Sequence, residues 1–355
     1  FILINILAIY NAPNIERSTM VLLFIIFTSF VALLIPNLIK KKENLNKMLY
    51  VLFFSYSLVT IFGIYQFLGD IVGLPPELTG LRELYTKDVL GFPRVQSTAL
   101  EPLYFANYLL LPFCLLLTVF LTKSLKLKPY ILASLVALGG LNLVLTVSRG
   151  AYIAFAASLI IVCIFLFKKV FTPRNIIYFI IVVSLVSVGA VKFLNLENAL
   201  EDFTEHTQSI FEGASYEERV DTFSESQRAW STHPLIGIGP GSFGPFSSSH
   251  PYVVPQDGYK IVNNVYLEIL AESGILGLAL FILIIIILII RNIKAIIVEQ
   301  NNLLKALHIG LMAAFIGILV QYNTFSILYI MHIWFTIGLM IACQNMTLNK
   351  KNENS

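Results

Sequence analysis

Charged side chains are scarce in this 355-residue chain. Asp, Glu, Lys and Arg make up 13% of it, hydrophobic residues make up 57%, and the mean hydropathy is +0.79. A soluble globular domain carries about twice that share of charge. The composition therefore excludes an ordinary soluble domain. Apolar runs of about 20 residues recur along the whole length, and each is long enough to cross a bilayer.

Cysteine is also scarce. Cys114, Cys163 and Cys343 each lie inside an apolar segment, without the spacing of a disulfide or of a metal site. We expect them to be small packing residues. Neither a metal, nor a cofactor, nor a nucleic-acid partner is predicted, and no internal repeat is visible.

The recurring apolar runs predict an all-α, polytopic bundle of about nine spanning helices. Residues 1–10, "FILINILAIY", are interpreted as the remnant of a preceding helix and not as a signal peptide. The predicted spans are 19–39, 48–69, 101–122, 129–147, 150–168, 175–194, 265–290, 303–322 and 324–344. The corresponding regions are N-terminal helices (1–194), a long extracytoplasmic loop (195–262), C-terminal helices (263–345) and a cytoplasmic tail (346–355).

Lysine and arginine are distributed differently between the two predicted sides. Thirteen of the sixteen lysines lie in links that follow alternate helices, which predicts that those links are cytoplasmic. Six of the eight arginines fall on the opposite side: Arg17, Arg82, Arg94, Arg149, Arg219 and Arg228. Lysine suffices for orientation in the membrane, whereas arginine is preferred for holding phosphate or carboxylate. Chance, or pairing with the acidic residues of the long loop, explains the count equally well.

The long loop, 195–262, holds ten acidic and three basic residues. Its first half, to about Trp230, has a helical pattern, and its second half is rich in Gly, Pro and Ser and is expected to be irregular. "GPGSFG", residues 239–244, fits the GxGxxG pattern of dinucleotide sites. That pattern requires a preceding strand and a following helix. We therefore predict turns here and not a nucleotide site.

Four segments on the predicted outer side carry a family resemblance. They are "RVQSTALEPLYFANYL" (94–109), "LTVSRGAYIAF" (145–155), "RVDTFSESQRAWSTHPLIGIGPGSF" (219–243) and "KIVNNVYLEILAESGILGL" (260–278). Their order and spacing resemble the O-antigen ligase and polymerase superfamily, membrane glycosyltransferases that act on polyprenyl-linked glycans. The fourth is similar to the family's segment of histidine, ten residues, then glycine. Asn263 stands at the histidine position and Gly274 at the glycine position.

The resemblance implies an inverting, metal-independent transfer at the outer face of the bacterial inner membrane. The donor would be a glycan on undecaprenyl diphosphate. The acceptor would be a sugar hydroxyl of the lipid A core or of a growing O-antigen, capsule or exopolysaccharide chain. A flippase and a chain-length regulator are the further partners that it suggests, beside the lipid bilayer. Arg94, Arg149 and Arg219 are the expected ligands of the diphosphate, because fixed guanidinium groups stabilise the charge of the leaving group.

Each of these residues also has a structural interpretation. Arg149 could extend its charge to the membrane interface, although diphosphate binding is favoured because no acid is near it in sequence. Glu101 could cap the helix that starts at Pro102, or it could orient Arg94. Arg219 could pair with the adjacent Glu217 and Glu218.

The fourth segment leaves the general base open. Asn264, Glu268 and Glu272 recur every four residues and should share one stripe of a helix, with Asn264 as its N-cap. A carboxamide at position 263 can position a hydroxyl but cannot accept its proton. Three alternatives remain: Asn263 only orients the acceptor, which we prefer; Glu268 or His250 takes the proton; or activity is lost.

Two other classes of function compete with the enzyme. A transporter or flippase for lipid-linked glycans would also need outward arginines, and a non-catalytic assembly partner would tolerate asparagine at position 263. A transporter should carry polar residues deep in several helices, or broken helices in matched halves. The helices here are mostly uniform and apolar with charge at one face, which favours the enzyme.

Overall fold

The computed structural model describes residues 1–177, 180, 214–256, 258–326 and 328–352, and the described residues contain helices and turns but no strand. The α-helices are α1 Ile2–Ala8, α2 Ile15–Leu38, α3 Lys42–Ile71, α4 Pro76–Thr79, α5 Lys87–Leu90, α6 Pro102–Thr122, α7 Pro129–Leu145, α8 Arg149–Val170, α9 Ala214–Thr232, α10 Phe243–Ser247, α11 Val265–Val298, α12 Asn302–Gln321 and α13 Met331–Asn352. Short 3₁₀ turns cover Ile9–Asn11 and Glu83–Tyr85.

Six of these helices are long and apolar enough to cross a membrane: α2, α3, α6, α8, α11 and α12. The prediction of an all-α, multi-pass membrane protein is therefore confirmed. The apolar helix α7 has 17 residues, about 25 Å of length, and is shorter than a typical hydrocarbon core. The predicted span 175–194 and the first part of the long loop, 195–213, lie largely or wholly outside the described residues.

The last helix begins at Met331, seven residues later than predicted. Turns precede it, and two residues in this region accept hydrogen bonds from backbone N–H groups at the start of α11. The Tyr322 carbonyl accepts a hydrogen bond from the Val265 N–H at 2.9 Å, and the Ser326 hydroxyl accepts one from the Asn264 N–H at 3.2 Å. These non-local bonds join the described residues before α13 to the start of α11.

The chain divides into two compact units, each built from separated segments. The first comprises Phe1–Asn37, Ile210–Lys294 and Gln321–Ile341, and the second comprises Leu38–Ser209, Ala295–Val320 and Ala342–Ser355. The sequential four-region division stays a prediction about membrane topology.

In the second unit, α6 is the central helix. Its leucines Leu109, Leu110, Leu115 and Leu116 are fully buried. Small residues allow α12 to approach closely: a Cβ on Gly310 would lie 2.6 Å from the Thr118 hydroxyl of α6. Such close approach through glycine is typical of helix packing in membranes, where dispersion contacts and not water exclusion hold helices together.

In the first unit, the core nearest the sequence motifs is a small cluster of Ala229 in α9, Ile238, and Ala271 in α11. Phe246 of α10 packs against this cluster. The contacts bring the Gly- and Pro-rich part of the long loop onto the first half of α11, and they therefore position the candidate site.

Candidate functional site

The third and fourth sequence motifs meet at a break in α11. Four backbone hydrogen bonds with N···O distances between 2.9 and 3.2 Å join residues 234–239 to residues 271–276. They run from Ile238 N to Ala271 O, from Gly239 N to Glu272 O, from Ile275 N to Pro234 O and from Leu276 N to Leu235 O. The segment thus satisfies the carbonyl and N–H groups that the break removes from the helical ladder.

Gly274 is the residue at which α11 breaks. Its φ of 66° and ψ of −172° lie in a region that is essentially restricted to glycine. A Cβ on Gly274 would also lie 2.4 Å from the Leu235 carbonyl carbon. The glycine that the family pattern expects is therefore required both by backbone conformation and by the close approach of the loop.

The carboxylate of Glu272 is held by the "GPGSFG" turn. One of its oxygens accepts the N–H of Gly241 at 2.7 Å, and the other accepts the N–H of Phe243 at 3.0 Å. Glu272 is 7% exposed. The backbone N–H groups of this turn thus bind the protein's own carboxylate, which agrees with the prediction of a turn and not a nucleotide site.

A cavity of about 100 Å³ lies beside this turn, within the first unit. Its charged lining residues are Glu268 and Glu272 from α11, Arg17 from α2, and Lys260. Glu268 and Glu272 face the same space, so the predicted shared stripe is confirmed for these two residues. Lys260 forms a salt bridge to Glu225 at 3.1 Å.

Arg17 is fixed between the turn and an aromatic ring. Its Nε donates to the Gly241 carbonyl at 3.0 Å, and its guanidinium carbon lies 4.5 Å from the centre of the Tyr259 ring. Its backbone N–H donates to the Asn14 side chain at 2.9 Å. Sequence reasoning missed Arg17 as a site residue. The one available signal was its place among the arginines of the predicted outer side.

Asn264 is the N-cap of α11, as predicted. Its side-chain oxygen accepts the N–H groups of Tyr266 at 3.0 Å and Leu267 at 3.1 Å. The preceding residue, Asn263, has a φ of 57°. Asparagine and histidine are both enriched among non-glycine residues in this left-handed region. The backbone at position 263 therefore suits the histidine of the family pattern as well as the asparagine found here.

The first and second motifs meet in the second unit. Arg94 Nε donates to the Thr146 carbonyl at 3.3 Å, and the Val95 N–H donates to the Leu145 carbonyl at 2.9 Å. The Arg94 guanidinium carbon also lies 5.6 Å from the centre of the Tyr85 ring. These contacts fix Arg94 against the turn that leads into Arg149.

Burial lowers the pKa of the Arg94 guanidinium from its usual value, and the nearby positive charge of Arg149 lowers this pKa further. Tyr85, Tyr152 and Glu101 act in the opposite direction. The guanidinium group of arginine stays protonated in proteins. Two neighbouring guanidinium charges therefore persist at neutral pH.

Arg149 is the first residue of α8, and Glu101 is the N-cap residue of α6 directly before Pro102. The positions of Glu101 and Pro102 match the predicted helix start. The Glu101 side chain, however, makes no capping hydrogen bond. The positive ends of two helix dipoles thus lie at the segments that carry Arg94 and Arg149.

Two further predicted site residues, Arg219 and His250, have no described side-chain contact with either group of motifs. Arg219 lies in α9, and its side chain is outside the described part of the structure. His250 is exposed in the loop after α10 and does not line the cavity. That loop folds back onto the start of α2, where Asn14 Nδ2 and the Tyr259 hydroxyl donate to the Pro251 carbonyl at 2.9 and 2.7 Å. Within the described ranges, no cluster of three metal-ligating side chains occurs.

Comparison with known proteins tests the family resemblance. Residues 133–282 match a family model described as O-antigen ligase. The match spans the second and third motifs and the fourth, whereas Arg94 and Glu101 precede it. No curated protein matches the chain in sequence. The match confirms the predicted resemblance: residues 133–282 of this multi-pass membrane protein are similar to the O-antigen ligase family.

Proposed function

We propose that the protein is an inverting, metal-independent glycosyltransferase of the bacterial inner membrane. It transfers or polymerises an oligosaccharide from undecaprenyl diphosphate onto a sugar hydroxyl at the outer face. The observation that carries the proposal is the nearness of two arginines. Arg94 Nε donates to the Thr146 carbonyl in the turn before α8, and Arg149, the first residue of α8, lies close enough to lower the pKa of Arg94.

The chemistry of the leaving group explains the pair. The diphosphate gains negative charge as its bond to the anomeric carbon breaks, and fixed guanidinium groups stabilise that charge without moving. Their mutual repulsion is relieved when an anion binds between them. Glu101 contributes to keeping Arg94 protonated and orients it in this proposal. Arg219 remains a proposed diphosphate ligand because it begins the third motif of the family resemblance, residues 219–243.

The acceptor hydroxyl must lose a proton as its oxygen attacks the anomeric carbon. Glu272 accepts hydrogen bonds from two backbone N–H groups and so holds the turn at residues 241–243. Glu268 lies one helical turn earlier and lines the same cavity. We assign proton removal to Glu268 and orientation of the acceptor to Asn263, with His250 as the alternative base. The proton then goes to the carboxylate, and the bonding electron pair leaves with the diphosphate.

The experiment compares Arg94→Lys and Arg149→Lys with Arg82→Lys, which alters an exposed arginine of the same predicted side. The full chain in lipid nanodiscs receives an undecaprenyl-diphosphate-linked oligosaccharide, and product is followed by gel electrophoresis. Each of the first two variants should lower the transfer rate about a hundredfold, because lysine keeps the charge but not the two-pronged geometry. Arg82→Lys should transfer at the unaltered rate.

Undiminished product from Arg94→Lys and Arg149→Lys would overturn the proposal. Movement of labelled donor across the bilayer without any glycan product would instead indicate a transporter.

A further inference from the structure

An apolar groove of about 470 Å³ runs along α2 in the first unit. Met20, Phe24, Phe27 and Thr28 form one wall, and Met331 lies on the other. Arg17 is the one charged residue among those that line it in the described structure.

The dimensions of the groove suit an amphiphile with one anionic head. The eleven-residue step from Arg17 to Thr28 corresponds to about 16 Å along a helix, which is about half of the hydrocarbon thickness of a bilayer. Arg17 lies in the first turn of α2, a helix long and apolar enough to span the membrane. An apolar chain in the groove would thus run into the membrane, while its head would meet the guanidinium at the end of the helix.

Arg17 has hydrogen-bonding capacity left for such a head group. Its Nε is engaged by the Gly241 carbonyl and its face by Tyr259. The two terminal nitrogens make no hydrogen bond to a described residue. A guanidinium held in this way presents a pre-oriented fork to phosphate oxygens.

The groove continues into the polar cavity. This continuity favours a lipid-linked glycan over a phospholipid as the ligand. Arg17, Val21 and Tyr329 line both spaces, and the cavity adds Glu268, Glu272 and Lys260. A phospholipid supplies an apolar part and a phosphate but no glycan for the polar cavity. A lipid-linked glycan has an apolar chain, a diphosphate and sugars in the same order as the groove, Arg17 and the cavity.

We propose that the α2 groove binds the polyprenyl chain of a lipid-linked glycan, with Arg17 on a diphosphate oxygen. This inference rests on the proposed function for the identity of the lipid. It adds a specificity-determining residue, Arg17, that lies outside the matched family range.

The test measures binding and not transfer. The full chain in phosphatidylcholine nanodiscs is photolysed with an undecaprenyl diphosphate analogue that carries a diazirine in its first isoprene units, and mass spectrometry locates the adducts. We expect adducts on the groove residues Met20, Phe24, Phe27 and Met331. Unlabelled undecaprenyl diphosphate should remove them, whereas the same concentration of phosphatidylglycerol should not.

Two sets of variants test separately the contact with the diphosphate head group and the contact with the polyprenyl chain. Arg17→Gln should lower the adduct yield about tenfold, since a charge-assisted hydrogen bond is lost, and Arg17→Lys should lower it less. Arg82→Gln is the control. Met20→Trp fills the groove and should also reduce the yield, whereas Leu23→Trp should not, although both side chains are 55% exposed on α2.

Equal competition by phosphatidylglycerol would overturn the proposal, because the groove would then be a general anionic lipid site. Equal yields from Met20→Trp and Leu23→Trp would overturn it as well. These results are independent of the transfer assay: adducts on α2 can persist when transfer fails, and loss of transfer in Arg94→Lys does not require loss of adducts.

Discussion

Two glutamates of α11 have different surroundings, although they lie one turn apart and line one cavity. Both oxygens of Glu272 accept N–H groups from the 241–243 turn, so its side chain holds that turn. Glu268 stands closer to the start of the helix, on the same stripe. We therefore give Glu272 a structural role and keep Glu268 as the proposed base.

This assignment predicts that the same substitution affects activity at one glutamate and stability at the other. Glu268→Gln should lower the transfer rate at least about a hundredfold with little change in melting temperature, because a carboxamide cannot take a proton. Glu272→Gln should cost about 1–3 kcal/mol of stability, because an amide group meets one of the two N–H donors. Glu16→Gln, at an exposed position of α2, is the control. A fully active Glu268→Gln would transfer the role of base to His250, and His250→Ala would then be the inactive variant.

Helix α11 shows which structural features local sequence predicts and which it does not. The N-cap at Asn264 was predicted because capping depends on residues within one turn. The break at Gly274 was not predicted, and 265–290 reads as one continuous helix. Glycine is tolerated inside a helical pattern, and the break depends on the bonds to residues 234–239, which are distant in sequence.

Substitution of Gly274 tests the break. Gly274→Ala should destabilise the protein by about 3 kcal/mol or more, because the backbone conformation is strained for alanine and the new Cβ meets the Leu235 carbonyl. Gly73→Ala provides the matched control: its φ is 84°, and no atom lies within 4 Å of the added Cβ. It should therefore show only the conformational cost, about 1–2 kcal/mol. Similar melting temperatures for the two variants would contradict a requirement for close approach at Gly274.

For the fold as a whole, composition was sufficient to predict a helical membrane protein, because the bilayer imposes length and apolarity on every span. The pairing of motifs could not be read from the sequence. Arg94 contacts a carbonyl 52 residues away, and Glu272 binds an N–H 31 residues away. Such contacts depend on how helices pack, and a single sequence carries no direct record of that packing.

The membrane orientation remains a prediction, and the proposed function depends on it. Positively charged links predict that Asn44 and Lys126 face the cytoplasm, whereas Thr98 and Tyr252 should lie outside. All four residues are exposed, so a cysteine at each can be labelled. The native Cys114, Cys163 and Cys343 are first replaced by alanine, which suits their buried or half-buried positions. A membrane-impermeant maleimide should then label Thr98→Cys and Tyr252→Cys in intact spheroplasts, and Asn44→Cys and Lys126→Cys only after permeabilisation. The reverse pattern would place Arg94 and Arg149 on the cytoplasmic side, where a donor presented at the outer face could not reach them.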